Sequence, residues 1–309
     1  MCDQSKNLAE ADACHDADPA RAAALLAGID AAGLEAGERP LFAFLLNHVL
    51  GEKLGDWAQA LHRQSALLAA AGEAAPPVLW RQSAVAATLA GELDDAHEAV
   101  AGLARAADVG EPQAQELLQL AAAGFQVPGR DAEPAAALAM HALLALDAPH
   151  WHKASALDTP AAAACNNLAA QLSERSVEEL RSAALREATL RAALCSQRLW
   201  QRAGDWVNQE RACYGVAVAT GAAGDAAAQL EAASDGLALL DRHDAAAEQT
   251  VDRAFLDLER AHALQRLGRH GEADAARANA DALAAAFEDA SLTNWYRSRV
   301  ERHRQLLAQ

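Results

Sequence analysis

Residues 251 to 287 carry a pattern that recurs along the chain. Val251, Phe255, Leu258, Ala261, Leu264 and Leu267 fall three or four residues apart, and after a break Ala273, Ala276, Ala280, Leu283 and Phe287 do the same. That spacing lays an apolar stripe along each of two helices. Gly268 and Gly271 bracket Arg269 and His270 at the break. Glycine accepts the left-handed conformation that ends a helix, and Glu272 and Asp274 suit the first turn of the next one. The stretch therefore predicts an antiparallel helix pair. Methyl groups at Ala261, Ala273 and Ala280 let the two backbones come close where leucine would hold them apart.

Glycine sits between an apolar run and an acid-led run again at "KLGDWAQAL", "LAGELDDAHEAV", "RAGDWVNQE" and "GAAGDAAAQL". Turn signals predict helices over 20–34, 40–53, 56–71, 77–89, 93–107, 112–123, 132–146, 160–173, 177–202, 205–220, 225–241, 248–267, 271–287 and 291–307. Between them, 146 to 160, "LDAPHWHKASALDTP", has two prolines and no periodicity and reads as a joint. Composition removes the sheet alternative. The chain holds 85 alanines, 12 valines and one isoleucine in 309 residues, so strand-forming side chains are scarce and helix formers dominate. At this length two domains or an elongated repeat stack are expected, and the recurring pair favours the stack.

Trp80, Ala84, Gly91 and Ala96 are spaced four, seven and five apart, and Ala261, Gly268, Ala273 and Ala280 hold the matching small and turn positions of the last pair. "NNLAAQL" at 166 to 172 looks like a further first helix. In these positions the chain resembles the tetratricopeptide-repeat superfamily over most of residues 40 to 290, although Asp257 and Arg277 stand where the family has aromatics. The resemblance implies an all-α, right-handed α-solenoid of antiparallel helix pairs. We expect acidic helical repeats over 1–145, the joint over 146–160, and pairs with a C-terminal capping helix over 161–309. It also implies a concave groove lined by the first helix of each pair: Arg81, Gln82 and Val85; Asn166 and Ala170; Tyr214 and Val218; Leu258, Glu259 and His262. Such a groove suits an extended or helical peptide. Asn166 and Asn167 are the sharpest nominees, because two adjacent amides lower helix propensity and need partners. A lysine-based carboxylate clamp is disfavoured, since Lys6, Lys53 and Lys153 miss the groove positions.

Charge narrows the partners. The net charge is −17, divided as −13 over residues 1–150 and −4 over the remainder. The amino half repels nucleic acid and anionic membrane, so neither is an expected partner; the excess serves solubility or an acidic patch for a basic protein. The first residues lack a signal-peptide pattern, Cys2 is not in a lipoprotein context, and no run is apolar enough to span a membrane. Five cysteines without paired spacing fit a reduced, cytoplasmic setting.

Chemistry offers little. His150 and His152, with His141 and Cys165 at a distance in sequence, could be drawn around a metal, but four ligands over 25 residues do not make a close-spaced motif. The alternative is that Trp151 packs between the two halves while both histidines face water. Cys14 beside His15 lacks helical facing geometry for a thiolate pair, and Asp94 with Asp95 or Glu178 with Glu179 suit helix starts. Glycine-rich nucleotide loops and the nucleophile elbow are missing from the sequence. The reading is a non-enzymatic protein- or peptide-binding scaffold without a cofactor, its oligomeric state open. One alternative is a ligand-responsive regulator closing about the joint around a small molecule or peptide. The other is a metal-binding protein or metal-dependent enzyme using His150 and His152.

Overall fold

A computed structural model describes residues 3–244 and 248–308; Cys2 lies outside them. The described chain is all-helical, with fifteen α-helices that pack largely in adjacent pairs and no strand. It divides into two compact units, one holding residues up to Phe125 together with Ser155–Leu157, the other Gln126–Ala154 and the residues from Asp158 onward.

The first unit contains α1 (Asp3–Cys14), α2 (Pro19–Ala27), α3 (Arg39–Leu45), α4 (Trp57–Ala71), α5 (Pro77–Ala90), α6 (Leu93–Ala107) and α7 (Glu111–Gln126). Aspartates start the helices that follow turns: Asp18 accepts from the Arg21 amide and Asp56 from the Gln59 amide. Helix α3 runs on into a π-helical stretch, Leu46–Lys53, which widens the turn and shifts the faces of Asn47 and His48 from α-helical register. Phe42, Leu45, Leu46, Leu67 and Leu79 fill the core. On α6, Gly102 lies where any β-carbon would overlap the Trp80 ring, so the missing side chain makes room for the indole. The helix α1 is not foreshadowed by periodicity; Leu8 and Ala11 are its buried residues.

The second unit contains α8 (Ala132–Leu144), α9 (Asp158–Ser173), α10 (Ala183–Ala203), α11 (Trp206–Ala223), α12 (Ala226–His243), α13 (Thr250–Arg266), α14 (His270–Ala284) and α15 (Ala290–Leu307). Three adjacent pairs, α9 with α10, α11 with α12 and α13 with α14, bring their first helices α9, α11 and α13 alongside one another. Gly268 adopts φ 74° at the predicted turn, a conformation that costs other residues energy. Asp205 and Asn208 form a reciprocal capping box at the start of α11. Helix α10 begins later than periodicity suggests, because Ser182 caps it through the Leu185 amide after a 3-10 turn over Glu179–Arg181.

The segment read as a joint is only partly irregular. Two 3-10 turns, Ala145–Asp147 and Pro149–His152, follow α8. Trp151 between the two histidines is fully buried, and its carbonyl accepts from Arg202 Nη1 at 2.9 Å. The same guanidinium spans both oxygens of buried Asp158, at 3.1 and 2.6 Å. A bidentate pair of this kind orients as well as attracts.

Candidate functional site

The first helices of the second unit form a face, and α15 lies on it. Tyr296 and Val300 of α15 join Ala280 and Ala284 of α14 in one apolar cluster. The same helix reaches further. Trp295 packs on Phe255 of α13 with ring centroids 4.2 Å apart and meets Tyr214 of α11 edge-on at 6.4 Å. Tyr296 donates its hydroxyl to Asp281 of α14 at 2.7 Å. Toward its other end, Arg302 donates to the carbonyls of Ser173, Glu174 and Arg175, where α9 ends. Free carbonyls and the negative end of a helix dipole make that a favourable place for a guanidinium.

Between these anchors lies a buried polar cluster. Arg299 donates to Glu259 Oε1 at 2.7 Å, and His303 Nε2 is 3.0 Å from the same oxygen. Gln229 of α12 donates to Glu259 Oε2 at 2.7 Å and meets His262 Nδ1 at 3.1 Å. All five side chains are buried. Gly221 permits the arrangement, since a β-carbon on it would clash with the Gln229 amide. Burial raises the Glu259 pKa, but the proximity and hydrogen bonds of His303 and Arg299 outweigh it and hold the carboxyl well below the usual range. For His262 burial wins: desolvation, then nearby His303, pull its pKa to about 3 against the opposing pull of Glu259.

Glu259, His262 and His303 bring potential ligand atoms within 4.8 Å of one another. Their arrangement nonetheless suits an ion pair better than a metal. The two imidazoles stack face to face, with centroids 4.2 Å apart and planes 8° from parallel. Their in-plane lone pairs therefore do not converge on one point. Glu259 already serves Arg299 and His303, and the guanidinium supplies fixed positive charge where a cation would sit. A second group, His15, Asp16 and His48, gathers near the π-helical turn. There Lys53 occupies the Asp16 carboxylate at 3.0 Å, and His48 bonds Glu52 at 2.7 Å. The Glu52 hydrogen bond raises the His48 pKa.

The fold gathers the nominated residues of α11 and α13 on one face. Tyr214, Val218, Leu258, Glu259 and His262 all lie on it, but they are covered in differing degree: Val218, Leu258, Glu259 and His262 are buried and Tyr214 is half-buried beneath Trp295. On α9, Asn166 is half-buried with its side-chain oxygen toward Gly215 of α11, and Asn167 and Ala170 are exposed. In the first unit Val85 is buried and Arg81 half-buried, with burial lowering the guanidinium pKa. Gln82 is committed internally: its backbone and side-chain carbonyls accept from Asn47 at 2.8 and 2.7 Å, and Gln64 holds Asn47 from the other side at 2.9 Å. The open groove of this unit, about 780 Å³, takes Trp80 and Ser83 from α5 and not those three residues. His150 is half-buried and His152 exposed.

Sequence reasoning missed the α15 side of the site: Trp295, Arg299, Arg302 and His303. The signal was present. Tyr296, Arg299 and His303 recur at three and four residues, the stripe a helix turns inward. An arginine and a histidine on an inward stripe call for a buried carboxylate opposite.

No protein-family model matches the chain, and no curated protein matches its sequence. Among the described residues, no helix is long and apolar enough to cross a membrane.

Proposed function

We propose that this chain is a non-enzymatic interaction protein, a tetratricopeptide-like right-handed α-solenoid that binds a protein or peptide on the face made by its first helices, in the cytoplasm and without a cofactor. The observation that supports the reading is α15. A face that seats one amphipathic helix, with aromatic packing at one end and guanidinium anchors at the other, has the chemistry of helix-in-groove recognition. Adjacent helix pairs with alanine at their contacts support the family reading: Ala261, Ala273 and Ala280 are all buried. Asn166 and Ala170 belong to the same face on α9 and retain accessible surface.

Affinity capture with the full chain, followed by titration of the captured protein, tests the reading. Asn166→Ala is expected to weaken binding about tenfold, the effect of one lost amide hydrogen bond in a dry contact. The His150→Ala, His152→Ala double variant is expected to match the wild type. Binding lost in the double variant and kept in Asn166→Ala, with stoichiometric metal in the purified protein, would favour the metal-centred alternative.

A second reading, a ligand-responsive regulator, is supported by one observation: the helix seated on the α9–α11–α13 face belongs to the chain itself.

A further inference from the structure

Resting on the reading of the α9–α11–α13 face as a binding surface, we infer that its partner is a basic, aromatic amphipathic helix, carrying an aromatic pair followed by arginines at the spacing of Arg299 and Arg302, which takes the place of α15. The face dictates this chemistry. Glu259 is fully enclosed and ionised, so a helix that covers it without a cation would strand a buried charge. Arg299 meets that need at 2.7 Å. Three residues later Arg302 meets a second one, the carbonyls of Ser173, Glu174 and Arg175, which only a donor can satisfy. Phe255 and Tyr214 form the aromatic seat where Trp295 rests.

The hold of α15 is of a kind that a matching helix can replace. Of its three buried side chains, Tyr296, Arg299 and His303, only Tyr296 is mainly apolar, while Trp295 and Leu307 remain 38% and 46% exposed. Exchanging one guanidinium for another leaves Glu259 paired before and after the exchange, whereas an apolar helix would have to displace Arg299 and supply nothing. The face thus selects by what it cannot leave unpaired. Helix α15 is tethered by the five residues 285 to 289. A tether this short keeps it at an effective concentration on the order of 1 mM, so a free helix is weakened by the ratio of that concentration to the intrinsic dissociation constant of α15 itself.

The probe is a fluorescent synthetic peptide with the sequence of residues 289–308, titrated into the full chain by anisotropy. Arg302→Ala and Trp295→Ala chains, verified as helical by circular dichroism, are expected to bind it at least tenfold more tightly than the wild type. A peptide carrying Arg299→Leu is expected to lose at least tenfold against both. In the wild type, saturating peptide should speed amide exchange in residues 290–307, a readout that needs no variant. Folded variants that bind no peptide, with unchanged exchange in the wild type, would sink the binding-face reading itself. Equal binding of both peptides would leave that reading standing and overturn the selection by arginine. A doubled mass of the loosened chains without peptide would make a second copy the occupant and overturn the partner-helix proposal.

Discussion

Arg299 on α15 donates to Glu259 on α13 at 2.7 Å, and both side chains are almost wholly withdrawn from water. Removing one member leaves the other charged and dry. Arg299→Met is therefore expected to destabilise the second unit by about 3–5 kcal/mol, while adding Glu259→Leu restores a large part of the loss. Urea denaturation followed by circular dichroism for the two single variants and the double variant measures the coupling. Additive losses would mean that the pair is not the unit that holds α15 down.

The same cluster makes stability fall in acid. The His262 pKa is about 3 in the fold against an ordinary 6.5, so below 6.5 the unfolded chain takes a proton that the folded chain refuses. The stability supplied by neutral His262 is present above pH 6.5 and declines toward pH 3, by up to about 1.4 kcal/mol per pH unit. Glu259, lowered from 4.5, adds a loss in the same direction as pH falls below 4.5. His262→Asn is expected to remove this loss between pH 6.5 and 4.5, so that stability there rises toward acid under the opposite contribution of Glu210, while the loss below 4.5 from Glu259 remains. Denaturation midpoints across that range decide it.

Glu210 on α11 gives the opposite slope. Its carboxyl is fully buried, with Asp252 beside it. Burial, then the charge of Asp252, raise its pKa from 4.5 to about 8. The folded chain keeps this proton between those values and the unfolded chain does not, so the contribution is full below pH 4.5 and is lost as pH rises to 8. Glu210→Gln should remove that decline and stabilise the protein at pH 8 by about 1–3 kcal/mol. A variant with the wild-type profile would place the proton elsewhere.

Close helix contacts should resist added bulk. Ala280 is fully buried and Ala273 nearly so, and each leucine substitution is expected to cost about 1–3 kcal/mol through overpacking. Gly102→Ala should cost a similar amount in the first unit, because the Trp80 ring occupies the space of its β-carbon. Thermal unfolding of the three variants checks both units. Unchanged midpoints would mean that these contacts open without cost.

How much of this was legible can be judged from particular residues. The turn at Gly268 and the stripes on either side of it were readable because one conformational demand and one period act locally. Helix α1, "DQSKNLAEADAC", has few apolar residues and forms because Leu8 and Ala11 find a core supplied by later helices. The π-helical stretch after α3 leaves the spacing of Leu45, Leu46, Val49 and Leu50 close to that of an ordinary helix. Periodicity puts Glu259 and His262 on one side of α13, yet it does not disclose the helix that covers them. Arg299 and Glu259 are 40 residues apart, and periodicity says which way a side chain turns without naming what it meets.

Chain order has a consequence for biogenesis. The carboxylate of Glu259 and the carbonyls that end α9 are made before the arginines that satisfy them, since α15 follows every helix it covers. During synthesis from the amino end, α9 to α14 leave the ribosome with this charge uncompensated. The nascent second unit therefore passes through an interval in which its face is open, and the covering helix arrives only after every helix it covers.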